Sequence, residues 1–267
     1  MDYEVYRKVW ESHVPIEFNL DGASENQTPY YSMLPRASYL CLHIPKVLRY
    51  FSQTSGGELV EVDAEAAWLE YNSVPLKTYY PIGVLFDMHK PKNAQVWTIN
   101  VRTSSRPPEC HNVSKDVMER MFMQAVKEAD YLKHKGEVIN SMKAEQHVQL
   151  WKAVSQYNFD GLWAVIKPLM ECSPTAPFFH IPIRLYIVGE PSFRQKAIPP
   201  YDDGKQLAFS DAILRLAPNL IGQNDVEASH DFVCHGIPVP LNTPLVYLTK
   251  NLSYPDNFVH VIATPKG

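Results

Sequence analysis

Cysteine is scarce in this sequence. Four occur in 267 residues, at positions 41, 110, 172 and 234. That is too few, and too scattered, for a disulfide scaffold, and reduced thiols in the cytosol are the simplest reading. Glycine is low at 11 residues and proline high at 22, which predicts stiff turns and few flexible linkers. No apolar run approaches the roughly 20 residues that cross a bilayer. The first ten residues carry Asp2, Glu4, Arg7 and Lys8 where a secretory signal needs an apolar stretch. Asn-x-Ser/Thr triplets at Asn26, Asn112 and Asn251 are therefore expected to stay unmodified. Basic residues do not exceed acidic ones, and a net charge of −4 argues against nucleic acid as the main partner. What remains is 45% hydrophobic and 12% aromatic, enough for real cores.

The sequence is equally poor in catalytic signatures. It has no Gly-rich phosphate loop, dinucleotide fingerprint, His-Glu-x-x-His, Gly-x-Ser-x-Gly or Cys-x-x-Cys. Cys110-His111 and Cys234-His235 supply four zinc-type donors on paper. Adjacent residues of a strand point to opposite faces, so Cys234 and His235 are not expected to converge, and no metal site is assigned. A nucleophilic cysteine needs a lowered pKa and access, and sequence shows neither. No catalytic residue, metal or cofactor is expected.

Three blocks follow along the chain. In the first, Val14 to Leu20, Trp68 to Tyr71 and Val96 to Val101 read as strands. Pro81 stands near the start of a short helix, and residues 104–108 form a boundary. The middle block is helical. Ser114 is a candidate N-cap, and Met118, Met121, Phe122, Ala125, Ala129 and Leu132 recur at helical spacing. Lys133-His134-Lys135 followed by Gly136 reads as helix-end cations and a stop. A second helix is expected from about Glu137, and a third capped by Asp160. The last block opens on the clearest alternation in the chain, Ile181, Ile183, Leu185 and Ile187. A returning strand over residues 194–198, a helix capped by Ser210, a strand over residues 231–235 and a closing strand over residues 259–263 follow. That order predicts a ubiquitin-like β-grasp, and the first block has a similar order. The fold class is α+β: two ubiquitin-like domains flanking a helix-rich domain. The boundaries are an N-terminal helix over residues 1–12, a first ubiquitin-like domain over 13–104, the helix-rich domain over 110–172 and the second ubiquitin-like domain over 178–267.

Lys127 lies nine positions from Met118 and five from Phe122. At about 100° per residue it falls opposite the apolar stripe, so its ammonium is expected in solvent on a rigid element. On pattern alone such a lysine belongs to a solvated helix face. Ser253-Tyr254-Pro255-Asp256-Asn257-Phe258 reads as a proline turn anchored by Tyr254 and Phe258.

That turn, with Leu252 before it, resembles the C-terminal signature of the autophagy protein 5 family. So do Val126-Lys127-Glu128-Ala129-Asp130, Leu132-Lys133-His134-Lys135, Tyr79-Tyr80-Pro81-Ile82-Gly83-Val84-Leu85-Phe86-Asp87 and Gln149-Leu150-Trp151. The matches run in order from near Met1 to about Ile262, with Asn251 and Tyr247 departing from the family's usual histidine and tryptophan. The resemblance implies two ubiquitin-like domains around a helical one, and a lysine joined by an isopeptide bond to the ubiquitin-like autophagy protein 12. Lys127 is the matching position. It further implies that autophagy protein 10 delivers that modifier as a thioester, and that a helix of autophagy protein 16 docks in a groove placed near Arg36 and Asp87. The conjugate would recruit autophagy protein 3 and act as an E3-like factor, without an active site of its own, for lipidation of autophagy protein 8. The expected location is the cytoplasm, with recruitment to the phagophore membrane during autophagosome assembly. The alternative is a non-covalent scaffold of the same complex. On pattern alone Arg36 reads as an exposed arginine and Asp87 as a carboxylate at a helix start.

Overall fold

The computed structural model describes residues 2–22, 27–54, 66–89, 95–103, 106–108, 110–111, 113–173, 176–221 and 229–266. Asn26, Asn112 and positions 104–105 of the expected boundary lie outside them. The chain divides into two compact units, Ser12–Met118 and Met1–Glu11 with Glu119–Gly267.

Helix α1 (Tyr3–Trp10) belongs to the second unit. The Asp2 carboxylate caps it by accepting from the Glu4 and Val5 N–H groups. Its Tyr3 ring meets Trp163 edge-on at 4.8 Å, and Trp10 stacks on Tyr157 at 4.9 Å.

In the first unit β1 (His13–Leu20), β2 (Tyr30–Pro35), α2 (Leu40–Thr54), β3 (Trp68–Tyr71), β4 (Val74–Pro75), α3 (Ile82–His89) and β5 (Trp97–Arg102) follow in order. The sheet order is β2-β1-β5-β3-β4, with β1 and β5 parallel at its centre. Val14, Ile16 and Phe18 alternate along β1 and are buried, together with Leu40, Leu48 and Phe51 of α2 and Trp97, Ile99 and Val101 of β5. Asn72 and Ser73 both take positive φ (49° and 63°), the geometry of a tight hairpin turn between β3 and β4. The expected strands are present, but α2 was not expected. Pro45 sits inside it and breaks the helical pattern, whereas Leu40, Val47, Leu48 and Phe51 at helical spacing carry the signal.

In the second unit α4 (Lys115–His134, from Glu119 onward), α5 (Glu137–Ser141), α6 (Ala144–Ser155) and α7 (Phe159–Met170) lead into β6 (Ile181–Ile187) and β7 (Arg194–Ile198). After them come β8 (Tyr201–Asp202), β9 (Lys205–Gln206), α8 (Phe209–Leu216), β10 (His230–Cys234), β11 (Ile237–Pro238), α9 (Leu245–Asn251) and β12 (Val259–Pro265). The sheet reads β7-β6-β12-β10-β11, with β6 and β12 parallel at the centre. First and last strands lie side by side, the first flanked by its hairpin partner and the last by a strand of the second hairpin, which repeats the order of the first sheet. Both are β-grasp sheets.

Three local expectations are corrected. The single helix expected from Glu137 breaks at Met142, whose backbone is extended (ψ 140°). The cap of α7 is Asn158, whose Oδ1 accepts from Gly161 N–H at 3.0 Å, and Asp160 lies inside the helix. Helix α8 starts one residue before Ser210, and Asp211 Oδ2 accepts from Ala208 N–H at 2.8 Å. Strand β6 also buries both faces rather than one. Pro182 and Tyr186 are as enclosed as Ile183 and Leu185, because α9 covers one side while Tyr186 and Arg184 meet the turn at residues 254–258 and its neighbours.

Candidate functional site

The site is built on α4. Ser114 Oγ accepts from Val117 N–H at 3.3 Å and caps its start. Met118, Phe122, Ala125, Val126 and Ala129 form its buried stripe. Lys135 and Gly136 turn left-handed (φ 57° and 82°) and stop it. Lys127 stands on the opposite face and is exposed. Among the described residues it has no hydrogen-bond or ion-pair partner.

The neighbours of Lys127 on the helix are tied down. Glu128 Oε2 accepts from Arg184 Nη2 at 3.2 Å, and its Oε1 from Gln195 Nε2 at 2.5 Å. Asp130 Oδ2 accepts from Ile139 N–H at 2.9 Å, while Oδ1 lies 2.8 Å from His134 Nδ1. Lys133, expected as a helix-end cation, is instead buried without exposed surface. Its ammonium donates to Asn257 Oδ1 and lies 5.1 Å from the Phe178 ring centre. Burial pushes its pKa down to about 7, against the pull of Asp130, Cys172 and Asp256. The sequence signal was its place four residues after Ala129, on the buried stripe.

The turn at residues 254–258 closes the same region. Asn257 N–H donates to Tyr254 O at 2.8 Å, Tyr254 and Phe258 are buried, and Asn257 takes φ 69°. Asp256 is buried, which alone would raise its carboxyl pKa. The His260 ring, the Arg184 guanidinium and the Phe258 N–H outweigh this and hold it below the usual aspartate value. His260 Nε2 lies 2.9 and 3.1 Å from the two carboxylate oxygens, and Nδ1 lies 2.9 Å from the Tyr186 hydroxyl.

Arg36 and Asp87 belong to the first unit, whereas Lys127 belongs to the second, and within the first unit the two face each other. Both depart from the pattern reading. Arg36 is 6% exposed rather than on the surface, and Asp87 is the sixth of eight residues in α3 rather than at its start. Arg36 Nη2 donates to Asp87 Oδ2 at 2.5 Å and to Gly83 O at 3.3 Å. The pair fastens the end of β2 to α3, where two uncompensated charges would be costly.

The Cys234–His235 pair also differs from expectation. Cys234 Sγ and His235 Nε2 do converge, both donating to Leu252 O at 3.5 and 3.2 Å. His235 lies just past the end of β10 with φ 54°, so strand alternation no longer separates the two side chains. No group of three His, Cys, Asp or Glu residues that could hold a metal ion occurs among the described residues. Burial pushes the Cys41 thiol up to about 12, away from the reactive thiolate. Asn251, start of the third glycosylation triplet, is buried, with its Oδ1 accepting from Asp2 N–H at 2.9 Å. Among the described residues no helix is long and apolar enough to cross a membrane.

Three family models match successive parts of the chain. The autophagy protein ATG5 UblA domain matches residues 9–103, the ATG5 alpha-helical bundle region 115–172 and the ATG5 UblB domain 180–263. Autophagy-related protein 5 of Caenorhabditis elegans is 44% identical over 272 residues, covering 98% of each chain. Autophagy protein 5 of Drosophila melanogaster is 34% identical, covering 97% of this chain and 96% of its own. The crystal structure of Kluyveromyces marxianus Atg5, 17% identical, superposes with a TM-score of 0.79 over 98% of this chain and all of that one, which supports the fold. The α+β architecture of two ubiquitin-like domains flanking a helix-rich domain and the matches along almost the whole length agree: the chain belongs to the autophagy protein 5 family.

Proposed function

We propose that the chain is the acceptor for the ubiquitin-like autophagy protein 12, joined to it by an isopeptide bond at Lys127. The observation that carries this reading is the amine itself, exposed and without a partner among the described residues, on a helix whose neighbouring side chains are anchored. Acyl transfer requires a deprotonated amine that reaches a thioester carried by another protein. The amine nitrogen adds to the thioester carbonyl, the C–S bond breaks, and the departing thiolate of autophagy protein 10 takes up the amine's proton. The chain contributes geometry and no catalytic group.

The conjugate then binds autophagy protein 16 and recruits autophagy protein 3, promoting lipidation of autophagy protein 8 at the phagophore membrane. In this reading the chain is a cytoplasmic protein brought to that membrane by its partners. The docking helix of autophagy protein 16 meets the first unit near the segment that Arg36 and Asp87 hold in place. The two residues shape that surface and do not offer it free charges.

The test is Lys127→Arg in cells that contain the partners, read on a denaturing gel and by mass spectrometry of the branched peptide. The substitution keeps the charge and removes the acylable primary amine. Loss of the larger band with an unchanged fold is expected. A band that persists overturns the assignment of Lys127. A wild-type chain that copurifies with autophagy protein 12 but separates from it under denaturing conditions favours the non-covalent scaffold.

A further inference from the structure

We propose that Glu128 is a positioning residue for Lys127: its carboxylate, gripped by Arg184 of β6 and Gln195 of β7, sets the rotation of α4 on the second sheet and thereby aims the acceptor amine. The inference rests on the reading of Lys127 as the acceptor.

Lys127 and Glu128 are adjacent, so their side chains leave the helix about 100° apart. One faces solvent and the other reaches the sheet. Among the described residues the bonds from Glu128 to Arg184 and Gln195 are the side-chain hydrogen bonds that join α4 to β6 and β7. Their anchor is itself held. Arg184 Nε donates to Gln195 Oε1 at 3.0 Å, its Cζ lies 3.7 Å from the Phe258 ring centre, and Nη1 lies 3.5 Å from Asp256 Oδ2.

The location of this clamp favours aim over stability. The Glu128 side chain is 42% exposed, and ion pairs of that kind contribute little to folding. Ala125 and Ala129 of α4 pack on Phe258 of the turn, with Leu132 alongside. Two small side chains at that contact orient the helix on the turn only weakly, whereas a carboxylate held by donors on two neighbouring strands orients it strongly. Lys133 fixes the far end of α4 through Asn257, and Glu128 fixes the turn that carries Lys127. The same grip keeps the Glu128 charge on the sheet side of the helix, away from the amine beside it.

The experiment is single-turnover transfer of autophagy protein 12 from its thioester on autophagy protein 10 to the full chain, with the acceptor concentration varied. Glu128→Ala is expected to lower the maximal rate about tenfold, with half-saturation moved less than about twofold, because misaiming by a fraction of an ångström acts on the chemical step. The double swap Glu128→Gln with Gln195→Glu returns a carboxylate to Arg184 and an amide to the helix, and is expected to recover most of the rate. A wild-type maximal rate in Glu128→Ala overturns the proposal. So does a change in half-saturation alone, which assigns Glu128 to partner contact. The swap decides the matter if the alanine variant is unstable, since failure to recover the rate there also overturns it. Lys127→Arg run in parallel tests the acceptor reading itself: transfer persisting in that variant removes both, and its loss beside an unaffected Glu128→Ala removes only the positioning role.

Discussion

Lys127 and Lys133 stand six residues apart on α4 in opposite surroundings, the first in solvent and the second sealed between Asn257, Met170 and Phe178. The burial that lowers the pKa of Lys133 also closes its amine to reagents.

Access is therefore expected to override nucleophilicity. At pH 8 an amine of pKa about 7 is roughly nine-tenths neutral, against well under a hundredth for an unperturbed lysine. Brief acetylation of the native chain at that pH should nevertheless modify Lys127 and spare Lys133. In urea Lys133 should react as readily as any other lysine. Peptide mass spectrometry reads both, and early native labelling of Lys133 would contradict the packing described.

The same burial sets a pH dependence. The folded pKa of Lys133 is lowered, so between about pH 7 and its unfolded value near 10.5 the unfolded chain binds more protons. Stability from this group therefore rises with pH above 7 and is level below it. The expected gradient approaches the order of 1.4 kcal/mol per pH unit well above pH 7. Denaturation of the full chain at pH 7.0, 7.75 and 8.5 measures it, and Lys133→Met should flatten the gradient. A gradient unchanged in that variant assigns it to another group.

Arg36 and Asp87 give a stability prediction for the first unit. Asp87→Ala leaves a buried guanidinium without its carboxylate and is expected to cost about 3 kcal/mol. Arg36→Met with Asp87→Leu removes both charges and should cost less than the single change. Urea unfolding followed through Trp68 and Trp97, both in that unit, distinguishes them. Equal losses in the two variants would mean that packing, not charge, accounts for the effect.

What the sequence makes legible is local. The stripe from Met118 to Ala129 marks α4 and the face that holds Lys127, and the residues of the proline turn indicate its own closure. Alternation marks β1, and with β6 it places strands where they are found. What it hides depends on distance along the chain. Arg36 finds its carboxylate 51 residues away, and Lys133 finds Asn257 124 residues away. No spacing rule reports such partners, so both cations read as surface groups. Helix α2 is hidden for the opposite reason, since one residue, Pro45, outweighs the helical spacing around it. Cys234 and His235 show that a single positive φ is enough to undo an argument from strand alternation.

The place of α1 has a consequence for how the molecule is made. Trp10 accepts a hydrogen bond from the Tyr157 hydroxyl, 147 residues later. At ribosomal speeds of about 5–20 residues per second, that helix is synthesised about 7–30 seconds before its aromatic partners. All of Ser12–Met118 is translated in the interval. Helix α1 is thus made well before its seat exists, and for that time Tyr6, Val9 and Trp10 lack the cover that chaperones are suited to supply.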